Sequence, residues 1–157
     1  MLKLLSQRKI KEGWKKYKTH IETAMTSSEG GLVVSQGPED IYKSIFERLM
    51  NPFNTSMHLW IDNNDDYLLL THIQTCEFTG KRTLVLFSLT RTEDVDKETI
   101  TKRWFDGYQI ISEFSKENKC SGILGYTDLE YFIKIAKEVS ESTNQKILIR
   151  YQYYVPL

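Results

Sequence analysis

Cysteine, proline and long apolar runs are what this chain of 157 residues has least of. Its two cysteines, Cys76 and Cys120, are too few and too far apart for a disulfide framework, and no C-x-x-C spacing occurs. Both are expected as reduced thiols, which fits an intracellular origin. The opening MLKLLSQRKI returns to charge too soon for a signal peptide, and no run of apolar residues is long enough to span a bilayer. Net charge is absent as well: twenty-one basic and twenty-one acidic residues cancel, so the chain as a whole is no general polyanion binder. Internal repeats and low-complexity tracts are missing. So are the sequences G-x-S-x-G, H-E-x-x-H and G-x-x-x-x-G-K-[ST], which leaves no signature of a serine hydrolase, a zincin or a P-loop.

What is present suits one globular domain. An apolar fraction of 40% with 27% charged residues is ordinary for a folded chain, and the length suffices for a real core. Nine tyrosines, seven phenylalanines and three tryptophans supply large contact surfaces for that core or for an interface. The cancelled charge hides an asymmetry. Residues 1–20 hold Lys3, Arg8, Lys9, Lys11, Lys15, Lys16 and Lys18 against Glu12 alone, a local excess of +6 that the rest of the chain balances with −6. An acidic body with a basic N-terminal segment suggests that the segment has its own task.

Periodicity gives the elements. Ile10, Trp14, Tyr17 and Ile21 recur at helical spacing and mark one stripe of an amphipathic helix from Gln7 to Met25. The glycine-rich stretch Ser27–Pro38 reads as a hinge. Pro38, Glu39 and Asp40 then open a second helix with Ile41, Ile45, Phe46 and Leu49 inward. Three strands follow as a meander: Met57–Asp62, Tyr67–Phe78 and Arg82–Thr90, separated by polar turns. The third, TLVLFSLT, is apolar almost throughout and predicts a central strand covered on both faces. A long helix over about Asp96–Asn118 comes next, with Gly107 inside it suggesting close packing. A short strand Ser121–Tyr126, a helix opened by the capping box Thr127–Glu130, and a tyrosine-rich strand Lys146–Val155 close the chain. The order is α-α-β-β-β-α-β-α-β, with a parallel crossover from Arg82 to Tyr126. The domain reading is a basic amphipathic arm over 1–26 and one mixed α/β domain over 27–157.

That order over roughly Pro38–Val155 resembles the Gcn5-related N-acetyltransferases, above all in the closing strand Gly122–Tyr126, helix Leu129–Val139 and strand Ile147–Val155. It is also similar to small degenerate members of that superfamily encoded by tailed bacteriophages. The resemblance implies a GNAT-like mixed sheet and acetyl-CoA chemistry. The family holds the pyrophosphate of acetyl-CoA on a loop of pattern Gln or Arg, two residues, Gly, one residue, Gly or Ala, whose glycines let backbone N–H groups approach the phosphates. The matching stretch here is Thr90-Arg91-Thr92-Glu93-Asp94-Val95-Asp96-Lys97, with no glycine and three carboxylates. The family's general acid is often a tyrosine before a Gly-Phe pair on the penultimate helix. Here Ile135–Ser140 holds no tyrosine, no Gly-Phe follows, and Tyr131 comes about a turn early.

Other constellations are weaker. His58, His72 and Cys76 could share one hairpin face, yet two histidines and a thiol without a fourth ligand read as no metal site. Asp62–Asp66 lacks the glycine and distal glutamate of a calcium loop and reads as a solvated turn. The basic helix is either an ordinary packed helix with a solvated lysine face or a docking arm that uses Ile10, Trp14, Tyr17, Ile21, Lys15 and Lys16.

These features lead to an expected non-enzymatic assembly protein on a GNAT-like fold, a bacteriophage virion component such as a portal-tail ring protein. Its expected partners are copies of itself and portal or tail proteins, with no membrane and no specific nucleic acid. The expected location is the virion or the cytoplasm of an infected bacterium. No catalytic residue, metal or cofactor is expected, and acetyl-CoA is expected not to bind. The alternative is an active N-acyltransferase that uses acetyl-CoA through a divergent loop.

Overall fold

The computed structural model describes residues 1–27, 38–53, 55–62, 67–91, 97–125 and 130–143. The chain divides into two compact units, Met1–Gly125 and Tyr126–Leu157. Strand β1 (Lys3–Leu4) leads to helix α1 (Gln7–Ser27) and helix α2 (Pro38–Met50). Strands β2 (Met57–Ile61), β3 (Tyr67–Thr75) and β4 (Arg82–Arg91) follow, then helix α3 (Lys97–Glu117) and strand β5 (Cys120–Gly125). Helix α4 (Glu130–Thr143) belongs to the second unit.

The five strands form one sheet in chain order, β1-β2-β3-β4-β5. The first three pairings are antiparallel and β4–β5 is parallel, as the crossover required. Strand alternation splits the sheet's apolar residues between two cores. Met57, Leu59, Ile61, Leu68 and Leu70 join Leu5, Ile10, Ile21, Tyr42, Ile45 and Leu49 on the α1/α2 side. Trp60, Leu69, Ile73 and Leu84 join Ile111 on the α3 side, with Phe114 and Leu86 packed against them. Buried Trp60 donates its indole N–H to the Thr71 hydroxyl across the hairpin at 3.0 Å, and Phe114 meets the indole edge-on at 4.8 Å. A polar ring atom in a dry core is thereby satisfied.

The basic N-terminal helix is part of this body. Ser6 precedes α1 as its cap, accepting from the Lys9 N–H at 3.4 Å. Ile10 and Ile21 are 3% and 0% exposed, Trp14 and Tyr17 pack against the same core, and Trp14 lies 4.7 Å from the Phe46 ring. Gln7 ties the start of α1 to the Leu49 carbonyl at 3.2 Å. The expected arm over 1–26, docking elsewhere through Ile10, Trp14, Tyr17 and Ile21, is therefore corrected. The apolar stripe closes one side of the chain's own sheet, and only Lys15 and Lys16 of the six named residues are exposed.

Two further points differ from the sequence reading, and two expectations fall on residues that are not described. Strand β1 is two residues long, too short for alternation to show, and its place at the sheet edge depends on pairing with β2. Gly107 is buried, but a Cβ there would meet nothing closer than Leu2 at 4.0 Å, so no close approach requires it. The capping box Thr127–Glu130 begins, and the strand Lys146–Val155 lies wholly, outside the described residues.

Candidate functional site

The most irregular feature of the sheet lies in the middle of β4. Leu86 pairs with Thr71 and Ser88 with Leu70, so Phe87 is an extra residue with no partner in the register of β3. Among the described residues, Leu86↔Gly125 is the last partnership of β4 with β5. Past that point residues 87–91 continue as strand, held by β3 on one side and, among the described residues, by no strand on the other. A bulge bends its strand and raises the local twist, which turns the rest of β4 away from the β5 direction. The outcome, among the described residues, is a strand edge paired on one side only from residue 87 to Arg91.

Beneath α3 on the same side of the sheet lies a small cavity of about 60 Å³, lined in part by Leu86, Leu69, Tyr67, Arg103, Gly107 and Tyr108. Asp62 closes the end of the β2–β3 hairpin: its carboxylate accepts from the Tyr67 N–H at 3.3 Å, and its own N–H donates to the Tyr67 carbonyl at 3.2 Å. The same carboxylate lies 3.5 Å from the Arg103 guanidinium, tying α3 to the sheet where β4 is open. Burial raises the Tyr108 phenol above its ordinary range, so Tyr108 stays a neutral donor at physiological pH.

The histidines do not gather. His58 stands opposite Thr71 and His72 opposite Met57, which places them on opposite faces of the sheet. Each imidazole is held below its usual pKa, chiefly by burial, with His72 adding to the effect on His58 and Arg48 to that on His72. The His58 ring meets Phe114 edge-on at 4.8 Å, and its buried Nδ1 has no hydrogen-bond partner. Cys76 sits fully exposed on the β3–β4 turn, where hydrogen bonds from Thr79 and then Phe78 lower its pKa. No group of three His, Cys, Asp or Glu suited to a metal exists among the described residues. Tyr131 falls in α4, and its side chain lies outside the described residues.

No family model matches this sequence, and no curated protein matches it. Solved structures do match in shape. A probable acetyltransferase superposes with a TM-score of 0.61 at 14% identity, over 100% of this chain and 97% of that one. A GNAT family acetyltransferase of Staphylococcus aureus gives 0.57 at 11% identity, over 100% and 97%. The fold is GNAT-like. An aminoglycoside antibiotic 6'-N-acetyltransferase of Acinetobacter haemolyticus gives 0.59 at 10% identity, over 100% and 98%.

These neighbours correct the functional expectation. The non-enzymatic ring protein of a virion has no counterpart among them, whereas protein after protein of this shape is named an acetyltransferase. The glycine-free stretch Thr90–Lys97 is the ground on which the sequence pointed away from an enzyme. No sequence motif marks Phe87, because a bulge is a matter of register and the run TLVLFSLT has no break in it.

Proposed function

We propose that this chain is an N-acyltransferase that takes its acyl group from a pantetheine thioester. The observation that carries the reading is the edge of β4 beyond Leu86, which begins at the Phe87 bulge and has no strand beside it among the described residues. A pantetheine arm is extended and contains two amides. It can therefore lie along such an edge as an added strand does, exchanging main-chain hydrogen bonds. This orients the thioester without any particular side chain, which suits a sequence with no catalytic motif.

The reaction itself asks mainly for positioning. The lone pair of a neutral amine forms a C–N bond to the thioester carbonyl carbon, the C–S bond breaks, and its electron pair leaves on sulfur. The nitrogen gives up one proton and the thiolate takes one up, so the products are an amide and a thiol. Holding amine and thioester in contact supplies much of the rate, because an intermolecular step becomes effectively intramolecular. Strand amides near the bulge can donate to the carbonyl oxygen as negative charge develops there.

The residues present fit the pantetheine half of acetyl-CoA and not its diphosphate. The sequence between β4 and α3 holds Glu93, Asp94 and Asp96 and no glycine, a composition of like charge to a diphosphate. No step is assigned to that end.

The test uses S-acetylpantetheine with a panel of primary amines, among them an aminoglycoside and a peptide with a free N-terminus. Thiol release that depends on the amine, matched by acetylated amine in the mass spectrum, is the expected result. Failure to bind S-acetylpantetheine, together with no acceleration of thioester loss by any amine, contradicts the proposal.

A further inference from the structure

The sequence singles out Gly107, and packing does not account for it. A glycine inside a helix is a standing loss against alanine. Gly107 is buried within α3, yet a Cβ built there would meet nothing closer than Leu2 at 4.0 Å, so no neighbour forbids a side chain. What the glycine preserves is space, because it lines the cavity of about 60 Å³ beneath α3. The walls around it are largely apolar: Leu69 and Ile111 are 1% and 2% exposed, and Leu86 is half-buried. An apolar void of this kind suits an aliphatic group better than ordered water. At the roughly 30 Å³ that one water takes in the liquid, it has room for about two groups of methylene size.

The cavity meets the strand edge at Leu86. That residue lines the void, and it is also the last in β4 with a partner on β5 among the described residues. A pantetheine arm lying along residues 87–91 therefore stops at Leu86, where β5 takes over the edge, and the acyl group has to leave the line of the strand. The other end of the cavity is polar. Leu86 pairs with Thr71, whereas Asp62 is bonded to Tyr67, earlier in β3, and its carboxylate lies 3.5 Å from the Arg103 guanidinium. An aliphatic chain long enough to reach this ion pair gains nothing by going further.

We propose that the cavity holds the acyl chain of the donor, and that the preferred acyl group is of butyryl size rather than acetyl. This rests on the acyltransferase reading and names its donor more closely. The transfer is balanced as before. The acyl carbon exchanges its bond to sulfur for one to the amine nitrogen, the nitrogen loses a proton, and the thiolate gains one.

Titration of the intact protein with S-acetyl-, S-butyryl- and S-hexanoylpantetheine tests the assignment. Burial of two further methylenes is expected to make S-butyrylpantetheine bind about tenfold tighter than the acetyl compound, with the hexanoyl compound no tighter than the butyryl one. Gly107→Ala puts a methyl group into the void and suits the helix, so its thermal unfolding midpoint should not fall. Its butyryl-to-acetyl affinity ratio is expected to drop to about fourfold, and that of Gly107→Leu to about one. Three results overturn the assignment: a ratio near one in the unaltered protein, a ratio that Gly107→Ala leaves as it was, or affinity that keeps rising through hexanoyl. A fourth is a length preference found instead in a series of alkylamines acylated from S-acetylpantetheine, which gives the cavity to the acceptor. In each of these cases acetyl transfer to an amine keeps the acyltransferase reading standing. If no thioester binds at all, both fall together.

Discussion

The two halves of β4 are one continuous strand with opposite situations. From Arg82 to Leu86 it is flanked by β3 on one side and β5 on the other, and Leu84 and Val85 are 0% and 2% exposed. From Phe87 to Arg91 it keeps only β3 among the described residues. One extra residue separates the two. The first half is held by strands on both sides; the second has a strand on one side only among the described residues. A strand whose middle is almost wholly apolar in sequence thus meets two different surroundings along its length.

The largest effect on this comparison should come from the closed half. Leu84→Ala removes a fully buried side chain from the α3-side core and should cost about 3 kcal/mol, read as a lower midpoint in urea unfolding. Asp62→Ala comes next. It removes the acceptor that ends the β2–β3 hairpin and faces Arg103, for an expected loss of about 2 kcal/mol. A loss within experimental error would mean that α3 is held over the open half by its apolar contacts alone. Deleting Phe87 removes the bulge and lets Ser88 follow Leu86 in regular register, each later residue of β4 keeping its partner in β3. Affinity for S-acetylpantetheine should fall about tenfold, equivalent to 1.4 kcal/mol, with helix content unchanged by circular dichroism. Unchanged affinity would show that the bulge does not define the edge.

The gentlest test is pH. His58 and His72 have pKa values depressed in the folded state, so the unfolded chain takes up protons that the native chain refuses. Their contribution is complete above the unfolded value near 6.5. It declines as pH falls below that value and levels off below the depressed folded values. His58→Gln should flatten the pH dependence of the unfolding midpoint over that window. An equally steep dependence in the variant would place its origin in other groups.

Where side chains declare their surroundings, the fold was legible in the sequence. The stripe Ile10, Trp14, Tyr17 and Ile21 marked a helix correctly, and the alternation of the hairpin strands placed β2, β3 and β4 within a few residues. The stripe does not say whether its cover is the chain itself or a partner, because both present the same apolar surface. That ambiguity produced the mistaken arm. The site was less legible because its central feature is main-chain geometry. Phe87 differs in no chemical respect from any strand phenylalanine, and only the partners of Leu86 and Ser88 reveal the offset. The acids at 93, 94 and 96 were visible from the start. They say nothing about the main-chain register of β4.

The central claim is that a pantetheine thioester lies along the open half of β4, and amide resonances test it most directly. With S-acetylpantetheine added to saturation, the N–H groups of residues 87–91 should shift and exchange more slowly with solvent, while those of Arg82–Leu86 stay as they were. No change within 87–91, or changes confined to residues elsewhere, would contradict the account.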